Sequence, residues 1–102
     1  MDEQEQIVIN LIVNSGSARS SAIEAIQYAK AGDMDKAAES LQQAKESVNE
    51  AHHAQTEMIQ AEIRGERAPL NLLMVHAQDH LMTSLVVIDL AQEFIDLYEK
   101  IK

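Results

Sequence analysis

The hydrophobic pattern is most informative from Leu70 to Ile101, which follows the only proline, Pro69, and contains no glycine. Nothing in it interrupts a helix. Wound at about 100° per residue, its second half places Leu90, Phe94, Leu97, Tyr98 and Ile101 on one face and Asp89, Glu93, Asp96 and Lys100 on the other. Run backwards, that apolar face meets Val87, Thr83, His80, Asp79 and His76. Titratable groups thus occupy the lane expected to be core. Around them Leu70, Leu73, Val75, Ala77, Leu81, Met82, Leu85, Val86 and Ile88 leave the first half apolar nearly all round. Such a helix is expected to be buried on every side, and its polar groups to need partners.

Two helices are predicted before it. Over residues 5–30, Ile7, Val8, Leu11, Ala18, Ala22, Ala25, Ile26 and Ala29 share one side. The small polar run Asn14–Ser21 reads locally as a loop, since Gly and Ser are poor helix formers. The apolar phase nevertheless continues across it, so one unbroken helix is expected. Its small side chains would let a neighbour approach the backbone closely. Gly32 suits a helix end and Asp33 a helix cap. The second helix, 34–64, carries the stripe Ala37, Leu41, Ala44, Val48, Ala51, Gln55 and Met58, alternating four and three apart as in a bundle seam. His52 borders this stripe and His53 points away, as solvated or interface histidines do. Residues 65–69 connect to the third helix, 70–101.

The fold class is therefore all-α, an antiparallel three-helix bundle filling one domain over residues 1–102. Helices of this length span ~40–48 Å at 1.5 Å per residue, which makes the bundle thin. It cannot cover a helix that is apolar all round, so self-association through helix 3 is expected.

Composition narrows the function. The chain has no cysteine, which removes disulfides, thiolate metal sites and cysteine nucleophiles. Seventeen acidic residues against eight basic ones give a net charge of −9. That balance opposes nucleic acid and anionic membranes. The start, Met1-Asp2-Glu3-Gln4-Glu5-Gln6, lacks the basic and apolar regions of a signal peptide. His76, Asp79 and His80 break the best apolar window, so no membrane insertion and a cytoplasmic location are expected. No internal repeat, phosphate-cradling glycine loop, Gly-x-Ser-x-Gly elbow, His-Glu-x-x-His or EF-hand pattern occurs.

Chemistry, if present, lies in the helix 3 lane. His76 pairs with Asp79 at i,i+3 and with His80 at i,i+4. A histidine beside a carboxylate and a second histidine suits a nucleophile or a ligand set. Satisfied core residues are the structural alternative.

Val75-His76-Ala77-Gln78-Asp79-His80-Leu81-Met82-Thr83-Ser84 resembles the active-site segment of the lactose/cellobiose-type IIA components of the bacterial sugar phosphotransferase system. Ile12-Val13-Asn14-Ser15-Gly16-Ser17-Ala18-Arg19-Ser20 resembles that family's helix 1. Asn49-Glu50-Ala51-His52 with Gln55-Thr56 resembles its helix 2. The resemblance implies a homotrimer in which His76 accepts phosphate from the phosphocarrier HPr and passes it to a cysteine of the cognate IIB component. From there it reaches a disaccharide during transport through the membrane component IIC. It further implies attack by Nε2, giving a tele-phosphohistidine. Asp79 would bind a divalent cation where three subunits meet; Mg²⁺ suits such hard oxygen ligands.

Gln78 and His80 are the nearest candidates to contact the phosphoryl group or to orient His76. No Lys or Arg lies in the lane, so positive charge is expected from the partner. Residues 75–84 lean toward the cellobiose/chitobiose branch. Two other readings compete. One is a histidine phosphotransfer domain of a two-component relay, but His76 lacks the His-x-x-Lys-Gly context of such domains. The other is a non-enzymatic metal-binding or scaffold bundle using His76 and His80.

Overall fold

The computed structural model describes residues 3–102; Met1 and Asp2 of the acidic start lie outside the described residues. Three helices run in sequence: α1 Glu3–Lys30, α2 Met34–Ile63 and α3 Leu72–Lys100. They form an antiparallel bundle with principal extents of 52 × 25 × 19 Å. α1 is the central element, packed extensively on both others, while α2 and α3 meet over a smaller area.

Local chemistry accounts for the ends. At the first turn Gly32 has φ +88°, the left-handed conformation that a side chain resists. The Gly32 N–H donates to the Ala29 carbonyl and the Asp33 N–H to that of Tyr28, closing a Schellman motif. Asp33 then caps α2, its carboxylate accepting from the Lys36 N–H at 3.2 Å. Gly65, with φ +89°, ends α2 through the same pair of bonds. α3 starts two residues later than expected. Asn71 is extended, and its side chain accepts from the Met74 N–H at 2.9 Å, so it is the cap and Leu70 lies outside the helix.

α1 is unbroken through Asn14–Ser21, as its apolar phase predicts. The core explains why. Ala18, Ala22, Ala25 and Ala29 of α1, Ala37, Ala44 and Ala51 of α2 and Ala77 and Ala91 of α3 are all buried in one core. Side chains this small bring the backbones close enough for serines to bridge them. Ser84 Oγ donates to the Ser15 carbonyl at 2.8 Å, and Ser40 Oγ to the Ser21 carbonyl at 2.8 Å. The close approach runs through Ser15 and Ala18 and does not involve Gly16, where an added Cβ would meet nothing within 4 Å. Ala22→Leu should therefore overpack the seam and cost about 1–3 kcal/mol. Thermal unfolding followed by circular dichroism should show a Tm lowered by at least ~5 °C.

One expectation is corrected. The lane of His76, Asp79 and His80 is not the core of the subunit. α3 buries Met74, Ala77, Leu81, Ser84, Ile88, Ala91 and Ile95, an uninterrupted three-and-four alternation. Helix 3 offers two apolar stripes, and the one with small residues at Ala77, Ser84 and Ala91 fits the alanine ladder of α1. The other faces outward: Val75, Val86, Leu90, Phe94 and Leu97 are each about half exposed in the single chain.

Candidate functional site

The outward stripe carries the candidate chemistry. Leu72, Val75, Val86, Leu90 and Leu97 define it, and Asp79 sits on its midline as an exposed carboxylate among apolar neighbours. His76 is exposed on one flank, about 60° round the helix from Asp79. His80, half-buried, lies one turn on, toward α1. The two imidazoles touch, with ring centroids 4.3 Å apart and planes inclined by 52°.

Hydroxyls hold the turn that presents them. Thr83 Oγ1 donates to the Asp79 carbonyl at 2.8 Å. Ser84 Oγ shares its proton between the His80 carbonyl at 2.6 Å and Ser15 of α1. The His80 turn is thereby tied to the central helix, and His76 leans against a ring whose backbone is anchored.

Gln78 lies elsewhere. Two residues from His76, it projects about 200° round the helix, into the seam with α2. It is half-buried there, and its Oε1 accepts from Gln55 Nε2 at 2.8 Å. His76 and His80 are thus brought together, while Gln78 is turned away from the imidazole of its own chain. In the sequence Gln55 was legible as a polar member of the α2 stripe and as part of the helix 2 resemblance, with no role assigned to it. Its partner depends on the α2–α3 register, which periodicity does not contain.

The histidines of α2 stand apart. His52 and His53 are exposed, and His53 Nε2 lies 3.4 Å from Glu57 Oε1, a solvated pair of little energetic weight. Among the described residues no three His, Asp or Glu side chains gather into a metal-binding group.

An exposed imidazole backed by a second one and flanked by a stripe that awaits a partner suits a group that acts on, or through, another protein. Residues 6–99 match the model of a protein family described as the lactose/cellobiose-specific IIA subunit of the phosphotransferase system. The chain belongs to that family. It is 54% identical over 100 residues to the lichenan-specific phosphotransferase enzyme IIA component of Bacillus subtilis, spanning 98% of this chain and 91% of the relative. The crystal structure of the cellobiose-specific enzyme IIA from Bacillus anthracis is similar, with a TM-score of 0.94 and 56% identity over 99% of this chain and 93% of that one. A IIA chitobiose chain, solved in solution in complex with HPr from the Escherichia coli N,N'-diacetylchitobiose branch, superposes with a TM-score of 0.83. It is 42% identical over 99% of this chain and 98% of its own.

Membership makes the chain a IIA component of a disaccharide phosphotransferase system. It speaks against the two-component relay domain, as the absent Lys and Gly near His76 already did. Among the described residues no helix is long and apolar enough to cross a membrane.

Proposed function

We propose that this chain is a phosphoryl carrier: His76 takes a phosphoryl group from phospho-HPr and gives it to the cysteine of a cognate IIB component in the cytoplasm. The observation that carries this reading is the position of His76, a solvent-accessible imidazole in tilted ring contact with an anchored His80. The neutral ring attacks phosphorus in line through Nε2, and the bond from phosphorus to the donor breaks as the P–N bond forms. The same P–N bond then breaks when the IIB thiolate attacks. Incubation with phosphorylated HPr should add one phosphoryl mass per chain, located on the peptide containing His76. An unlabelled chain would sink the proposal.

The outward stripe of α3 supports a homotrimer. With three parallel copies closed around an axis that Asp79 faces, the flank bearing His76 in one copy meets the flank bearing Met82 and Gln78 in the next. The cleft so formed is walled by α1 and α3 of one subunit and by α2 and α3 of its neighbour. Gln78, pointing away from its own His76, then faces the phosphoryl group carried by the adjacent chain, with His80 orienting His76 from behind. Apolar neighbours such as Met82 would keep water from the labile P–N bond.

Three Asp79 carboxylates on one axis are the donors for a divalent cation such as Mg²⁺, and their hard oxygens fit it. Its contribution is to neutralise like charges in the interface, and no transfer step involves it. Asp79→Leu should consequently stay trimeric in chelator, because apolar replacement of buried charges is often stabilising. Sedimentation of the variant in EDTA checks this, and dissociation would give Asp79 a different role. The relatives named for lichenan and cellobiose favour a sugar of the cellobiose/chitobiose branch over lactose.

A further inference from the structure

The seam between α2 and α3 contains a polar pair that the transfer reaction as proposed leaves unexplained. Gln55 Nε2 donates to Gln78 Oε1 at 2.8 Å and also lies 3.6 Å from Met82 Sδ. The amide nitrogen of Gln78 has poorer company: Met74 Sδ at 3.5 Å and Met58 Sδ at 4.0 Å. Thioether sulfur is a weak acceptor. Gln78 therefore has its acceptor end occupied by a good donor and its donor end barely used. Its N–H₂ end therefore keeps the capacity to serve a stronger acceptor.

A phosphoryl oxygen is a strong acceptor that needs N–H donors. A carboxamide can serve it with one end only; presented the other way round, its carbonyl would repel the phosphate. We infer that Gln55 is a positioning residue for phosphoryl transfer, holding the carboxamide of Gln78 with its N–H₂ end free for the phosphoryl group. This rests on the proposed placement of Gln78 at the phosphoryl group of a neighbouring copy. Gln55 itself touches neither phosphate nor His76. Its effect passes through one hydrogen bond, and that makes it separable from a packing role.

The test is a double-mutant cycle on the assembled protein, with the rate of label transfer from phospho-HPr as readout. Gln55→Met keeps the length of the side chain and its contact with the methionines but donates nothing. It should lower the limiting transfer rate about 3–10-fold, the worth of one hydrogen bond, and leave the KM for phospho-HPr unchanged. In a Gln78→Met background the same change should have no further effect. A second variant guards against misassembly. Gln55→Glu donates only when protonated, so its rate should fall toward high pH and recover at low pH, and this pH dependence should vanish in the Gln78→Met background. The inference is overturned if Gln55→Met transfers at the wild-type rate, if it still slows transfer without Gln78, or if Gln78→Met alone is silent. Failure of the wild-type chain to accept any label would instead overturn the proposed function.

Discussion

His76→Ala abolishes acceptance of label from phospho-HPr, lowering it by at least ~10³-fold, as loss of a nucleophile does, while helical content and assembly are unchanged. The dissociation of chemistry from stability follows from where the residue sits. His76 is exposed in the subunit, and its one ring contact is His80. Truncation removes little packing, since the core of α3 runs through Met74, Ala77 and Leu81 on another face. His80 supplies the internal control. It carries the only other imidazole at this place, yet it is half-buried and faces α1. Peptide mapping of His76→Ala should therefore find no label on His80. Label retained there would reassign the acceptor, and label retained elsewhere would remove the site from α3 altogether. Loss of the proposed trimer in this variant would mean that the His76 flank, which that assembly sets against Met82 and Gln78 of the next copy, also holds copies together.

Much of this site was legible before the fold was known, because the residues that carry it violate a pattern. His76, Asp79 and His80 stand out in the first half of a helix, a stretch otherwise apolar nearly all round. The C-terminal end of α1 and the start of α2 were equally plain, as Gly32 and Asp33 each have a conformational reason to be there. What could not be read was which of two apolar stripes on α3 belongs to the subunit. Periodicity counts Ala77, Ser84 and Ala91 as weak positions beside Leu90 or Phe94, yet the alanines of α1 make those small residues the better fit. The polar lane consequently lies on the outer face and not inside the bundle. The start of α3 was misplaced for a related reason. The helix was begun directly after Pro69, at Leu70, while the hydrogen bond from the Met74 N–H to Asn71 is visible only once the backbone is traced. Gln55 and Gln78 lie 23 residues apart. No local rule pairs them, and only the packing of α2 on α3 does so.

Val86→Asp should convert the assembly to monomers. Val86 is 56% exposed in the single chain and lies on the same outward stripe as Asp79, seven residues and about two turns further along. Its side chain takes no part in the core formed with α1 and α2, so the subunit itself should remain helical. In a trimer closed on this stripe, by contrast, three added carboxylates would gather near the axis. Each buried, unpaired charge costs several kcal/mol, and three of them outweigh the apolar contact that a few half-exposed side chains supply, at ~25 cal/mol per Å² buried. A cation held at Asp79 is too far along the helix to neutralise them. Light scattering coupled to gel filtration would report the mass directly. The second consequence concerns chemistry. If Gln78 of one copy serves His76 of the next, a Val86→Asp monomer keeps its imidazole but loses the donor, and transfer from phospho-HPr should slow even though His76 is more accessible than before. Monomers that accept phosphate at the wild-type rate would separate the reaction from assembly and return Gln78 and Gln55 to a purely structural role. A trimer of wild-type stability would show that the outward face of α3 is not the surface through which copies meet.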